Sequence, residues 1–96
     1  MPNIPERSQM IKEAVSIATG VPIYRIMAHH RSHDSMAARK CAVDLHLHNL
    51  GFMGTKWIGQ QLGIDRVEYK NTKLFVCKLT HAYAQHLYDK MVKEAL

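Results

Sequence analysis

Apolar residues in this chain recur at spacings of three and four, the signature of helices with one buried face. Ile11, Ala14, Val15 and Ala18 fall on one such face, and Gly20 supplies a stop. Residues 1–5, with Pro2 and Pro5, read as a loose lead-in. Pro22 opens a short second helix with Ile23, Ile26 and Met27 inward, since a first helical turn tolerates Pro. His29-His30-Arg31-Ser32-His33-Asp34-Ser35 has no periodicity and reads as an exposed loop whose Asp34 or Ser35 caps the next helix. That third helix runs to about Asn49, with Met36, Cys41, Ala42, Leu45 and Leu47 inward and Gly51 just past its end. A fourth helix starts near Thr55. From Ile64 to Leu96 there is no Gly or Pro, and Leu74, Phe75, Leu79, Ala82, Tyr83, Leu87 and Met91 form a helical stripe. Nothing alternates with the period of a strand. The pattern predicts a single all-α domain over 1–96, with five or six helices.

One stretch carries more than a helix signal. Thr55-Lys56-Trp57-Ile58-Gly59-Gln60-Gln61-Leu62-Gly63-Ile64-Asp65-Arg66 has the form of the first helix and turn of a helix-turn-helix. Gly59, on the inner face, leaves room for a second helix to approach. Gly63 falls where the chain must leave the helix, in a left-handed conformation that Gly adopts cheaply. Ile58, Leu62 and Ile64 form the apolar wedge. Thr55 is a candidate N-cap, and Asp65 with Glu68 has capping-box spacing for a helix opening just beyond the turn. An ordinary αα-hairpin with Gly at its turn fits the same residues, so this stretch alone leaves both readings open.

Composition narrows the partner. The 96 residues suffice for one domain, and 47% hydrophobic content fits a folded protein. Lys and Arg number 13 against 8 Asp and Glu, a formal net charge of +5 that favours a polyanion. The cations cluster: Arg25, Arg31, Arg39 and Lys40 in one stretch, then Lys56, Arg66, Lys70, Lys73 and Lys78. Lys12, Lys90 and Lys93 read as solvated charges. Cys41 and Cys77 lack CxxC spacing and read as buried free thiols in a reducing compartment. The first residues show no apolar leader core, and no run is long enough to span a membrane, so a cytoplasmic, nucleoid-associated location is expected. Seven His raise the question of zinc, but His46 and His48 are two apart on a helix and face apart, so no metal is expected. The loop histidines would instead add charge below about pH 6.5. Paired carboxylates, a nucleophile–base pair and a Gly-x-x-x-x-Gly-Lys-Ser/Thr loop are all missing, so neither an enzyme nor a nucleotide cofactor is expected.

The order of motifs resembles the C-terminal DNA-binding domain (domain IV) of the bacterial replication initiator DnaA. The likeness runs over most of residues 10–65. It comprises Ile11-Lys12-Glu13-Ala14-Val15, Gly20-Val21, Ile23 and Ile26-Met27, then Arg31-Ser32, Arg39 with Ala42, and Ile58-Gly59 followed by Leu62-Gly63. It implies a Trp-repressor-like helical scaffold with a DNA-facing side. Where that family's recognition helix opens on a Gly-Arg-Asp-His-Thr-Thr-Val type signature, this chain has Ile64-Asp65-Arg66-Val67-Glu68-Tyr69-Lys70. His30 and His33 stand where family members often carry Arg. The scaffold carries over; the family's DNA sequence preference does not. A free-standing domain of this kind, without the ATP-binding part, implies a phage or mobile-element accessory acting in replication or transcription.

Double-stranded DNA would be held as follows. Arg66, Tyr69, Lys70 and Lys73 are three or four apart and share a helical face, with Arg66 or Lys70 placed for guanine N7 and O6. If the recognition helix instead starts at Asn71, Lys73 leads. Thr55, Lys56 and the first-turn amides of the fourth helix suit a phosphate. Arg31 would reach a minor groove. Arg39 and Lys40 would meet phosphates or solvent. The rival reading is a protein–protein module. The C-terminal stripe, widened by Val76, Tyr88 and Val92, is broad enough to make a homodimer or bind a host protein.

Overall fold

The computed structural model describes residues 1–27, 31–64 and 77–96. Over these residues the protein is all-helical: α1 (Ile4–Thr19), α2 (Ile23–Met27), α3 (His33–Leu50), a 3₁₀ turn at Gly51–Met53, α4 (Thr55–Leu62) and α5 (Lys78–Glu94). There is no strand among the described residues.

α1 starts earlier than its prolines suggested. Asn3 caps it: Oδ1 accepts from the Glu6 amide at 2.9 Å while Nδ2 donates to Glu6 Oε1 at 2.8 Å. Pro5 sits in the first turn, where its missing N–H costs nothing, and Pro2 is buried. The lead-in is therefore structured. Gly20 ends the helix by donating to Ser16 O at 2.9 Å. Pro22 O accepts from the Arg25 and Ile26 amides, launching α2. The cap of α3 is Ser32, whose Oγ accepts from the Ser35 amide. Asp34 and Ser35, the expected caps, lie within the first turn instead.

α3 is the central helix and packs on all four others. Ala38, Cys41, Ala42, Val43, Leu45, His46 and Leu50 are all buried, and they cover most of its circumference. Leu47, expected inside, is 41% exposed. Ile11 and Val15 from α1, Ile26 from α2, Ile58 and Leu62 from α4, and Ala84 and Tyr88 from α5 complete the core.

α5 lies along α1. Its inner face is Ala84 and Tyr88, with Leu87, Met91 and Val92 partly buried. The expected stripe was turned outward in its first half: Leu79 is 80% and Tyr83 49% exposed, and Ala82 is also exposed. Polar bonds help set this rotation. Arg7 Nε donates to Tyr88 Oη at 2.9 Å, and Asn49 and Gln85 exchange side-chain bonds of 2.8 and 3.0 Å. Leu74 and Phe75, the start of that stripe, lie outside the described residues, as does Val76.

Candidate nucleic-acid interface

Two glycines frame α4. Gly54 precedes it at φ 86°, ψ 158°, a backbone conformation essentially reserved for Gly. Gly54, not Thr55, is the N-cap residue, and no side chain caps the helix. The expected Thr55 cap is replaced because the Gly-only turn places Thr55 already inside the first helical turn. At the other end Gly63 is left-handed at φ 65°. Its amide donates to Gln60 O, and the Ile64 amide donates to Gly59 O at 3.0 Å. That bond folds Ile64 back over the helix. A Cβ on Gly59 would lie 3.1 Å from the Ile64 carbonyl oxygen, so this glycine accommodates the turn's own backbone.

The turn also meets α2. A Cβ on Gly63 would lie 3.0 Å from Met27 O. Met27 is the last residue of α2, so the Gly63 turn is seated against the C-terminal end of that helix. Arg31 is exposed, and so is His33, the first residue of α3. Arg25 Nη2 donates to Ser32 Oγ at 2.9 Å, tying α2 to the α3 cap.

The remaining expected contacts divide. Lys56 is exposed and Thr55 half-buried. Lys56 and Gly63 are seven residues apart, which along a helix is about 10 Å. Arg39 does not face solvent. It is 6% exposed, and its guanidinium donates to Ile26 O at 2.9 Å and Arg25 O at 3.3 Å, where the end of a five-residue helix leaves carbonyls without helical partners. It is a brace for α2 rather than a phosphate ligand. Lys40 pairs with Asp44 one turn away at 2.9 Å, so it is neither free nor merely solvated. Arg66, Tyr69, Lys70 and Lys73 lie outside the described residues, as do both candidate starts of the recognition helix, Asp65 and Asn71, and also Glu68, His29 and His30.

Other expectations need amendment. Cys41 is buried, and burial followed by the charge of Asp44 pushes its thiol up to about 12. Cys77 is exposed, correcting its reading as a buried thiol. It occupies the N-cap of α5, where the nearby Thr80 and Leu79 amides lower its pKa. It lines a cleft of about 260 Å³ among α1, α3 and α5, with Asp34 and Thr80 also on the wall. Trp57, beside the exposed Lys56, is half-buried and packs on the core.

Sequence reading missed one nucleophile–base contact, because its members are 38 residues apart. Ser8 Oγ lies 2.7 Å from His46 Nε2. His46 Nδ1 is 2.7 Å from Ala42 O, which can only accept, so Nδ1 carries the proton and Nε2 accepts from Ser8. Burial lowers the His46 pKa to about 4, against the upward pull of the Ala42 bond, with Lys12 lowering it further. Ser8 is 1% and His46 0% exposed, so no substrate can reach the pair and it serves as a packed polar bridge between α1 and α3. Among the described residues no group of three His, Cys, Asp or Glu converges to hold a metal ion, and no helix is long and apolar enough to cross a membrane.

No family model matches the chain, and no curated protein and no solved structure matches it. The fold and its bonds therefore carry the functional reading.

Proposed function

We propose that this protein binds double-stranded DNA, with α4, the Gly63 turn and the segment beginning at residue 65 forming a helix-turn-helix. The carrying observation is the seating of Gly63 against Met27 O. It seats Gly63, just before the cationic stretch 65–73 of the sequence, against the C-terminal end of α2, four positions before Arg31. Burial and pairing also divide the cations, although Lys78, Lys90 and Lys93 on α5 are exposed as well. Arg39 holds α2, Arg7 bonds Tyr88 and Lys40 pairs with Asp44, whereas Arg31 and Lys56 stay in water. A reader of this kind would place Arg66, Tyr69, Lys70 and Lys73 toward the major groove. Lys56 and the uncapped amides of α4 would hold a phosphate, and Arg31 would reach the backbone or minor groove. The scaffold proposed is that of DnaA domain IV, on the sequence resemblance, and the biological setting proposed is replication or transcription control, including a phage or mobile-element origin. Neither metal, nucleotide nor catalytic chemistry is invoked.

The experiment is a fluorescence anisotropy titration of labelled random-sequence duplex at several salt concentrations. Each phosphate neutralised contributes a slope of about −0.9 in log K against log salt. We expect Lys56→Ala and Arg31→Ala each to weaken binding and flatten the slope by about one, and Arg66→Ala to weaken binding, with thermal melting unchanged in all three. Wild-type affinity in all three variants would end this assignment.

A second reading, a protein–protein module or homodimer through α5, draws on one observation: Leu79 and Tyr83 stand one turn apart on the outer face of that helix, 80% and 49% exposed. A symmetric pair would double the DNA contacts, so dimerisation and DNA binding are compatible.

A further inference from the structure

The corner between α3 and α4 holds an aromatic ring in water. Phe52 is 69% exposed, although the residues on either side of the corner, Leu50 and Ile58, are fully buried. The corner has one shape: the Gly54 amide donates to Gly51 O at 3.1 Å, Gly54 sits in its Gly-only conformation, and the Ile58 amide donates to Gly54 O at 3.2 Å. Phe52 is thus held outward by a fixed turn between two anchored helices, which pre-organises it for contact.

Its surroundings indicate what the contact is. His48 and Lys56, four residues before and after it, are exposed, and Lys56 makes no ion pair among the described residues. No Asp or Glu occurs from Leu45 to Ile64. Asp44, the last carboxylate before this stretch, is paired with Lys40. Aromatic anchors of protein interfaces sit in cores depleted of charge. An apolar ring beside an exposed lysine, in a stretch without carboxylates, matches instead a DNA strand, where deoxyribose C–H faces alternate with phosphates.

We propose that Phe52 is a DNA-contacting residue, its ring packing on the sugar face of the strand whose phosphate meets Lys56 and the first turn of α4. This rests on the reading of α4 as the first helix of the motif, the helix that crosses the DNA backbone in such proteins. The ring supplies affinity without charge, and Lys56 supplies charge.

Duplex titrations over a range of salt with the whole chain separate these contributions. Phe52→Ala should weaken binding about tenfold at every salt concentration and leave the salt slope unchanged, whereas Lys56→Ala should reduce the slope by about one. Phe52→Leu, which keeps an apolar side chain, should recover most of the loss. Wild-type affinity in Phe52→Ala, alongside a weakened Lys56→Ala, overturns the Phe52 contact and leaves the DNA-binding reading standing. A wild-type chain that binds no duplex at any salt overturns both. Loss of self-association in Phe52→Ala, with DNA affinity intact, assigns the ring to a protein contact and also overturns the inference.

Discussion

His46 shows how one buried residue sets an acid limit on the whole domain. Its ring is fully enclosed and bonded through both nitrogens in the neutral form. Its pKa is about 4 in the folded state against 6.5 for the free side chain. The unfolded chain takes up the proton first as pH falls, so the stability this site contributes is complete above about pH 6.5 and is lost between there and pH 4. The full window corresponds to about 3 kcal/mol. Urea unfolding at pH 7 and pH 4.5 should show that loss, and His46→Gln should flatten this part of the profile. An unchanged midpoint for the native chain across the window would refute the assignment. Residue identity was legible in the sequence, but the Ser8 partner was not, because a contact across 38 positions is created by packing.

At the scale of elements, the stops were read more reliably than the faces. Gly63 was expected to be left-handed and is, since no other residue enters that region so cheaply. Gly63→Ala should destabilise the domain by about 2 kcal/mol, from the backbone conformation and the close approach to Met27 O. Denaturant titration measures this, and a loss well below 1 kcal/mol would mean the turn relaxes freely. The caps were less legible. Ser32 rather than Asp34 or Ser35 opens α3, and Gly54 rather than Thr55 precedes α4, because each choice depends on where the preceding turn delivers the chain. The face of α5 was misread in its first half. Apolar periodicity gave Leu79 and Tyr83, while the bonds of Tyr88 to Arg7 and of Gln85 to Asn49 favour a different rotation.

For the whole molecule, the distribution of charge matters more than its sum. Arg39 illustrates the difference: adjacent in sequence to Lys40, it is spent inside the body on carbonyls of α2. The outward half of α5 is the other large-scale feature. If two copies pair through Leu79 and Tyr83, sedimentation velocity over a concentration series will show a dimer that Leu79→Glu converts to monomer without lowering the melting temperature. A wild-type chain that stays monomeric at high concentration removes the homodimer.

Sequence alone determined the helical class, the glycine stops and the overall cationic balance, because each depends on local backbone preference or on simple charge counting. Tertiary structure decided which cations remain in water, that His46 is held neutral, which way α5 turns, and that Phe52 projects from its corner. Those outcomes come from contacts between residues far apart in the chain, where burial and hydrogen bonding select among arrangements that local pattern leaves equivalent.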